Sequence, residues 1–123
     1  MLRAFLMVGF GGALGSMARY GVSLAVNKVN SMSFPWATFL VNMAGCFLIG
    51  ILFGMAQKHN TLQSGNWLIL ATGFCGGFTT FSAFALENSN LLKGNISVTA
   101  LLYTTLSLFL GILLCRIAIS MAS

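Results

Sequence analysis

The residues best suited to chemistry in this chain are concentrated in one stretch, GFCGGFTTFSAFALE, from Gly73 to Glu87. Two adjacent glycines, Gly76 and Gly77, precede two adjacent threonines, Thr79 and Thr80, within an apolar run. A glycine costs about 1 kcal/mol in a helix interior relative to alanine. The doubled pairs therefore predict a point where the backbone leaves helical pairing. In a membrane such backbone must be buried in protein or line a water-filled cavity. Freed carbonyls there bind a cation, and freed N–H groups or hydroxyls bind an anion. Beyond the break, Phe81 and Phe84 stand three residues apart on one helix face, with Ser82 three residues after Thr79. Phenylalanines usually make core or lipid contacts. Their alternative use is electrostatic: the ring edge is positive and can face an anion.

Two further polar groups lie deep in the apolar spans. Asn42, in VNMAG, carries an amide with two N–H donors. Tyr103, in LLYTT, carries a hydroxyl. An unpaired polar group in hydrocarbon costs several kcal/mol, so both must meet partners or water. Arg19 ends GGALGSMARY. An arginine at mid-bilayer costs at least about 2.5–3.5 kcal/mol, which places Arg19 near the interface or where a path opens to water. Glu87 is the only acid in the chain. There is no Ser/His pair, carboxylate dyad or HExxH, so enzymatic chemistry is not expected. Cys46, Cys75 and Cys115 are widely spaced in apolar runs, and the one histidine, His59, lies in a polar segment. A disulfide framework or zinc site is not expected, and the cysteines are read as small buried hydrophobes.

The elements that must position these groups follow from composition. Of 123 residues, 58% are hydrophobic and 6% charged. Soluble domains carry about 25% charged residues, so this composition describes an all-α integral membrane protein. Polar punctuation leaves one four-helix domain, 1–123, with spans at about 4–26, 36–56, 67–86 and 96–119. Each is near the 20 or so residues a bilayer requires. The third span carries the break. A cleaved signal peptide is not expected, because the first apolar region continues past Arg19 to Val26. The six basic residues are isolated, which excludes a nucleic-acid stripe and suits helix ends at lipid headgroups. Arg3, Lys58 and Arg116 fall on one side of four spans, and Arg19, Lys28 and Lys93 on the other. Balanced charge gives no orientation instruction under the positive-inside rule. Balance together with four short helices suggests an antiparallel dual-topology homodimer. Gly11-x-x-x-Gly15, Gly50-x-x-x-Gly54 and Gly73-x-x-x-Gly77 allow close helix contact, within one subunit or between two.

GGALGSMARY, the asparagine in WATFLVNMAGCFLIG, and GFCGGFTTFSAFALE together resemble the Fluc/CrcB family of fluoride channels. The resemblance covers almost the whole chain. The third motif is the most specific, resembling a signature written GGxTTFSTF; Ala83 departs from it by lacking a hydroxyl. The resemblance implies an antiparallel homodimer in the bacterial inner membrane with two fluoride pores. It also implies a central structural sodium ion held by the backbone carbonyls of Gly76 and Thr79 from both subunits. Phe81 and Phe84 match the pore phenylalanines, and Asn42, Thr80, Ser82 and Tyr103 match polar pore-lining positions. Arg19 and Glu87 match positions towards the pore ends. Fluoride is strongly hydrated, so a pore must replace its water with donors yet still release the ion. With no nucleotide loop and no obvious proton-coupling acid, passive export is implied. A small multidrug-type exporter is the nearest alternative, but it would need a carboxylate in the first span. A non-transporting membrane scaffold would use the same polar residues as interhelical glue.

Overall fold

The computed structural model describes residues 1–29, 34–94 and 97–123. Among these residues all the regular secondary structure is helical. The helices are α1 (Leu2–Val29), α2 (Trp36–His59), α3 (65–78), α4 (Phe81–Lys93) and α5 (Ser97–Ala122). Helix α3 begins with Gly65–Trp67, where the Ser64 side chain accepts from the Trp67 N–H. It then widens into π-helical turns over Leu68–Cys75 and ends with Gly76–Phe78. Helix α2, the stretch Gly65–Lys93 and Val98–Ala122 are long and apolar enough to cross a membrane. Helix α1 has the length but falls short in apolarity. Gly9, Gly11, Gly12, Gly15, Gly21, Ser16 and Arg19 dilute its Leu, Phe and Met.

Two helix pairs organise the molecule: α1 lies along α3, and α2 lies along α5. The small-residue motifs supply both seams. A Cβ on Gly15 would collide with the Phe74 carbonyl, and one on Gly77 with the Gly12 carbonyl. Across the other seam, a Cβ on Gly50 would stand 2.6 Å from the Cys115 carbonyl, and one on Gly54 2.8 Å from that of Ile119. All three motifs therefore pack within one chain, where bare backbone faces bare backbone. Gly77→Ala should lower stability by about 1–3 kcal/mol through overpacking. Gly9→Ala, with nothing within 4 Å of its Cβ, should be neutral or slightly stabilising in a helix. Thermal aggregation midpoints of the two variants in detergent check this pair.

The core lies between α2, α4 and α5. Tyr103 is fully buried there beside Phe39 and Met43, with Phe34, Phe84, Leu91, Leu110 and Leu114 packed around them. The Tyr103 ring meets Phe34 edge-on at 5.3 Å and Phe84 at 5.0 Å.

Helix ends depart from the expected loops. The polar stretch from Glu87 was expected to close the third span, but α4 continues to Lys93. Asn88 in this stretch is tied to α5 and to its own helix: the Thr104 hydroxyl donates to Asn88 Oδ1 at 2.9 Å, while Asn88 Nδ2 donates to the Phe84 carbonyl at 3.0 Å. Gln57, Lys58 and His59 likewise belong to α2, which ends at Asn60 with φ 53° and ψ 41°. An amide side chain tolerates that left-handed conformation better than most non-glycine residues. The Thr61 N–H then closes the last turn on the Ala56 carbonyl at 2.9 Å. Residues 30–33 of the expected first loop, Asn95 of the third loop and Ile96 at the start of the expected fourth span lie outside the described residues.

Candidate functional site

Between α3 and α4 two residues are extended: Thr79 at φ −78°, ψ 156° and Thr80 at φ −151°, ψ 120°. Extended backbone inside an apolar segment needs replacement partners. The Thr79 N–H and hydroxyl both donate to the Cys75 carbonyl, at 3.0 and 2.8 Å. Thr80 receives its partner from α2. Its N–H donates to Asn42 Oδ1 at 2.9 Å, and its carbonyl accepts from Asn42 Nδ2 at 3.0 Å. The Thr80 hydroxyl caps α4 by accepting from the Ala83 N–H at 3.2 Å, and it lies 3.2 Å from the Ser82 hydroxyl.

Helix termini leave carbonyls without helical partners. At the end of α3, Gly77 O accepts from Arg19 Nε at 3.2 Å and from the Ser16 hydroxyl at 3.4 Å. A cation at a helix C-terminus complements the negative end of the dipole, so Arg19 is an α3 cap supplied by α1. Among the described residues, no hydrogen bond reaches the carbonyls of Gly76 or Thr79. The negative end of α3 and the positive end of α4 thus meet at one interruption. That arrangement suits a cation on carbonyls and an anion at N–H or hydroxyl donors.

Asn42, Gly76, Thr79, Thr80, Phe81 and Phe84 line a single open cavity of about 560 Å³. Phe81 and Phe84 lie with ring centroids 5.8 Å apart. Phe81 is 77% exposed, while Phe84 is half-buried against Tyr103. Ser82 reaches this group through Thr80. Tyr103 and Glu87 form a separate centre: the Tyr103 hydroxyl donates to Glu87 Oε2 at 2.8 Å, and the Thr38 hydroxyl donates to Glu87 Oε1 at 2.6 Å. Glu87 and Thr38 line a second cavity, of about 380 Å³, with Ser23, Asn27 and Asn90. Arg19 lines neither cavity. The three cysteines are free, and no cluster of three metal-ligating side chains occurs among the described residues.

Sequence reasoning missed two residues here. Thr38 stands four residues before Asn42, and Ser107 four after Tyr103, so each shares a helix face with a residue already singled out. Ser107 lines the larger cavity, and its buried hydroxyl has no partner among the described residues. That spacing was the available signal.

Three helical stretches long and apolar enough to cross a membrane, one of them interrupted by the extended Thr79 and Thr80, define a small multi-pass helical membrane protein. The chain belongs to the CrcB-like family, described as CrcB-like protein, Camphor Resistance (CrcB), which residues 6–119 match. It is 46% identical over 112 residues to the fluoride-specific ion channel FluC of Flavobacterium psychrophilum, covering 91% of this chain and 90% of that one. It is 44% identical over 119 residues to the FluC of Prosthecochloris aestuarii, covering 97% and 92%. With the FluC of Thermus thermophilus the identity is 46% over 110 residues, covering 89% and 86%.

Proposed function

We propose that this protein is a fluoride-selective channel of the bacterial inner membrane that passively exports cytoplasmic fluoride. One observation carries the reading: relatives aligned over nine-tenths of the chain are named fluoride-specific ion channels, and the alignment spans the interrupted third segment. In this reading α1 is the fourth membrane span despite its glycines and Arg19. The interruption at Thr79 and Thr80 lies within the membrane, and the working unit is an antiparallel dual-topology homodimer with two pores. The 560 Å³ cavity opens on the surface of the single chain, and a Cβ on Gly76 would meet nothing within 4 Å. Both features suit a second copy seated against this face.

Fluoride passes along donors that replace its water, with Phe81 and Phe84 turning ring edges toward it. Thr80 lines the cavity with the phenylalanine pair, and its hydroxyl lies 3.2 Å from that of Ser82. Asn42 has one N–H left after pairing with Thr80. Glu87 lines the second cavity, held from behind by the buried Tyr103 hydroxyl, and Arg19 holds the end of α3. A structural sodium ion would be held by the carbonyls of Gly76 and Thr79. These fit, since they are hard oxygen donors left without hydrogen bonds at the negative end of a helix. The remaining ligands would come from the partner copy. When bound, the ion supplies a fixed positive charge that favours anions nearby. Phe81, Ser82 and Thr80 position the anion, and the apolar wall of Phe84 and Tyr103 excludes bulk water.

The test is fluoride efflux from proteoliposomes, followed with an ion-selective electrode. Efflux well above that of protein-free vesicles is expected, with chloride retained. An intact, inserted preparation that releases no fluoride rejects the reading. Metal analysis of the purified protein after sodium-free exchange tests the ion separately.

A further inference from the structure

We propose that Asn42 is a positioning residue whose amide fixes the plane of the Thr79–Thr80 peptide and so sets the direction of the Thr79 carbonyl. Thr80 exchanges two hydrogen bonds with one side chain, N–H to Oδ1 at 2.9 Å and carbonyl from Nδ2 at 3.0 Å. That is the pattern by which a residue in an extended strand exchanges both bonds with the residue opposite it. Thr80, at φ −151° and ψ 120°, has strand geometry with no strand beside it, and the amide of Asn42 takes the neighbour's place.

The consequence falls on the preceding residue. The peptide unit joining Thr79 and Thr80 is planar and trans, as no cis peptide occurs among the described residues. Its C=O and N–H therefore point in opposite directions. With the Thr80 N–H held on Asn42, the Thr79 carbonyl is directed away from α2. The same pairing consumes the Thr80 carbonyl, so of the two extended residues only Thr79 presents a free backbone oxygen. Few side chains do this. The task needs a donor and an acceptor on one planar group, at the reach of a single methylene. Serine lacks the second atom, and an ionised aspartate lacks the donor.

This inference deepens the channel reading of the same site, but it concerns backbone order and can fail on its own. The experiment measures hydrogen exchange across a peptide covering Thr79–Ser82 in the purified full chain, corrected for the intrinsic rate at each pH. In wild type the Thr80 amide should be protected at all pH values where the protein is folded. Asn42→Ala should lower that protection by about tenfold or more, the equivalent of losing roughly 1.4 kcal/mol.

Asn42→Asp is the sharper variant. A neutral carboxyl can accept the Thr80 N–H and donate to the Thr80 carbonyl; a carboxylate can only accept and repels that carbonyl. Protection and fluoride flux in Asn42→Asp should therefore be high below its pKa and fall as pH rises through it. Wild type should show no such step, and protein-free vesicles at each pH provide the flux baseline. Asn42→Asp at low pH also covers the case in which Asn42→Ala does not fold. Unaltered Thr80 protection in a folded Asn42→Ala, or a pH-independent Asn42→Asp, overturns the proposal. A fall in flux with protection intact assigns Asn42 to ion contact alone and overturns it equally.

Discussion

Phe81→Ile and Phe84→Ile should each slow fluoride efflux from proteoliposomes by about tenfold or more, a barrier increase of roughly 1.4 kcal/mol. Isoleucine keeps an apolar side chain at each position but removes the ring quadrupole, so any positive edge offered to an anion is lost. The two variants should differ in stability. Phe81 is 77% exposed in the single chain, and its replacement leaves the fold of the subunit nearly unchanged. Phe84 packs on Tyr103 at a centroid distance of 5.0 Å. Its loss removes an aromatic contact worth about 0.5–1.5 kcal/mol. Phe81→Ile is therefore the cleaner probe of permeation. Size-exclusion chromatography should show the same assembly as wild type for this variant. Wild-type flux in both variants would remove the phenylalanines from the pore.

The second large effect is expected at Glu87. Its carboxylate accepts from Thr38 on α2 and Tyr103 on α5, and so ties α4 to both. A hydrogen bond to a charged group contributes about 1.5–3 kcal/mol. Glu87→Ala strips the acceptor from both hydroxyls at once, one of them on a fully buried ring. The variant should lose at least about 2 kcal/mol of stability, read as a thermal midpoint several degrees lower in detergent. The decisive measurement is a double-mutant cycle. Tyr103→Phe should destabilise the wild-type background but cost little once Glu87 is alanine, because its hydroxyl has already lost its partner. Strictly additive effects would show that the carboxylate and the phenol do not depend on one another.

Local chemistry alone determined much of this protein. Six per cent charged residues exclude a water-facing surface, and runs of about 20 apolar residues between polar segments mark the helices. Gly-Gly followed by Thr-Thr marks where helical backbone gives way to the extended Thr79 and Thr80. Phe81 and Phe84 share a face through spacing alone. These features follow from propensity, hydrophobicity and periodicity, which act within a few residues.

What the tertiary structure decided is the identity of partners. Asn42 was legible as a polar group in need of company, but that its company is the backbone of Thr80, 38 residues away, was not. Glu87 read as an isolated acid near a helix end, whereas it joins Thr38, 49 residues distant, to Tyr103. Thr38 drew no attention because a threonine in an apolar run is ordinary. The π-helical widening of Leu68–Cys75 and the pairing of α1 with α3 and of α2 with α5 were also invisible. Which donor meets which acceptor depends on the rotation and register of each helix. Those are set where bare glycine backbone on one helix admits the backbone of another, a contact between distant segments that no local pattern encodes.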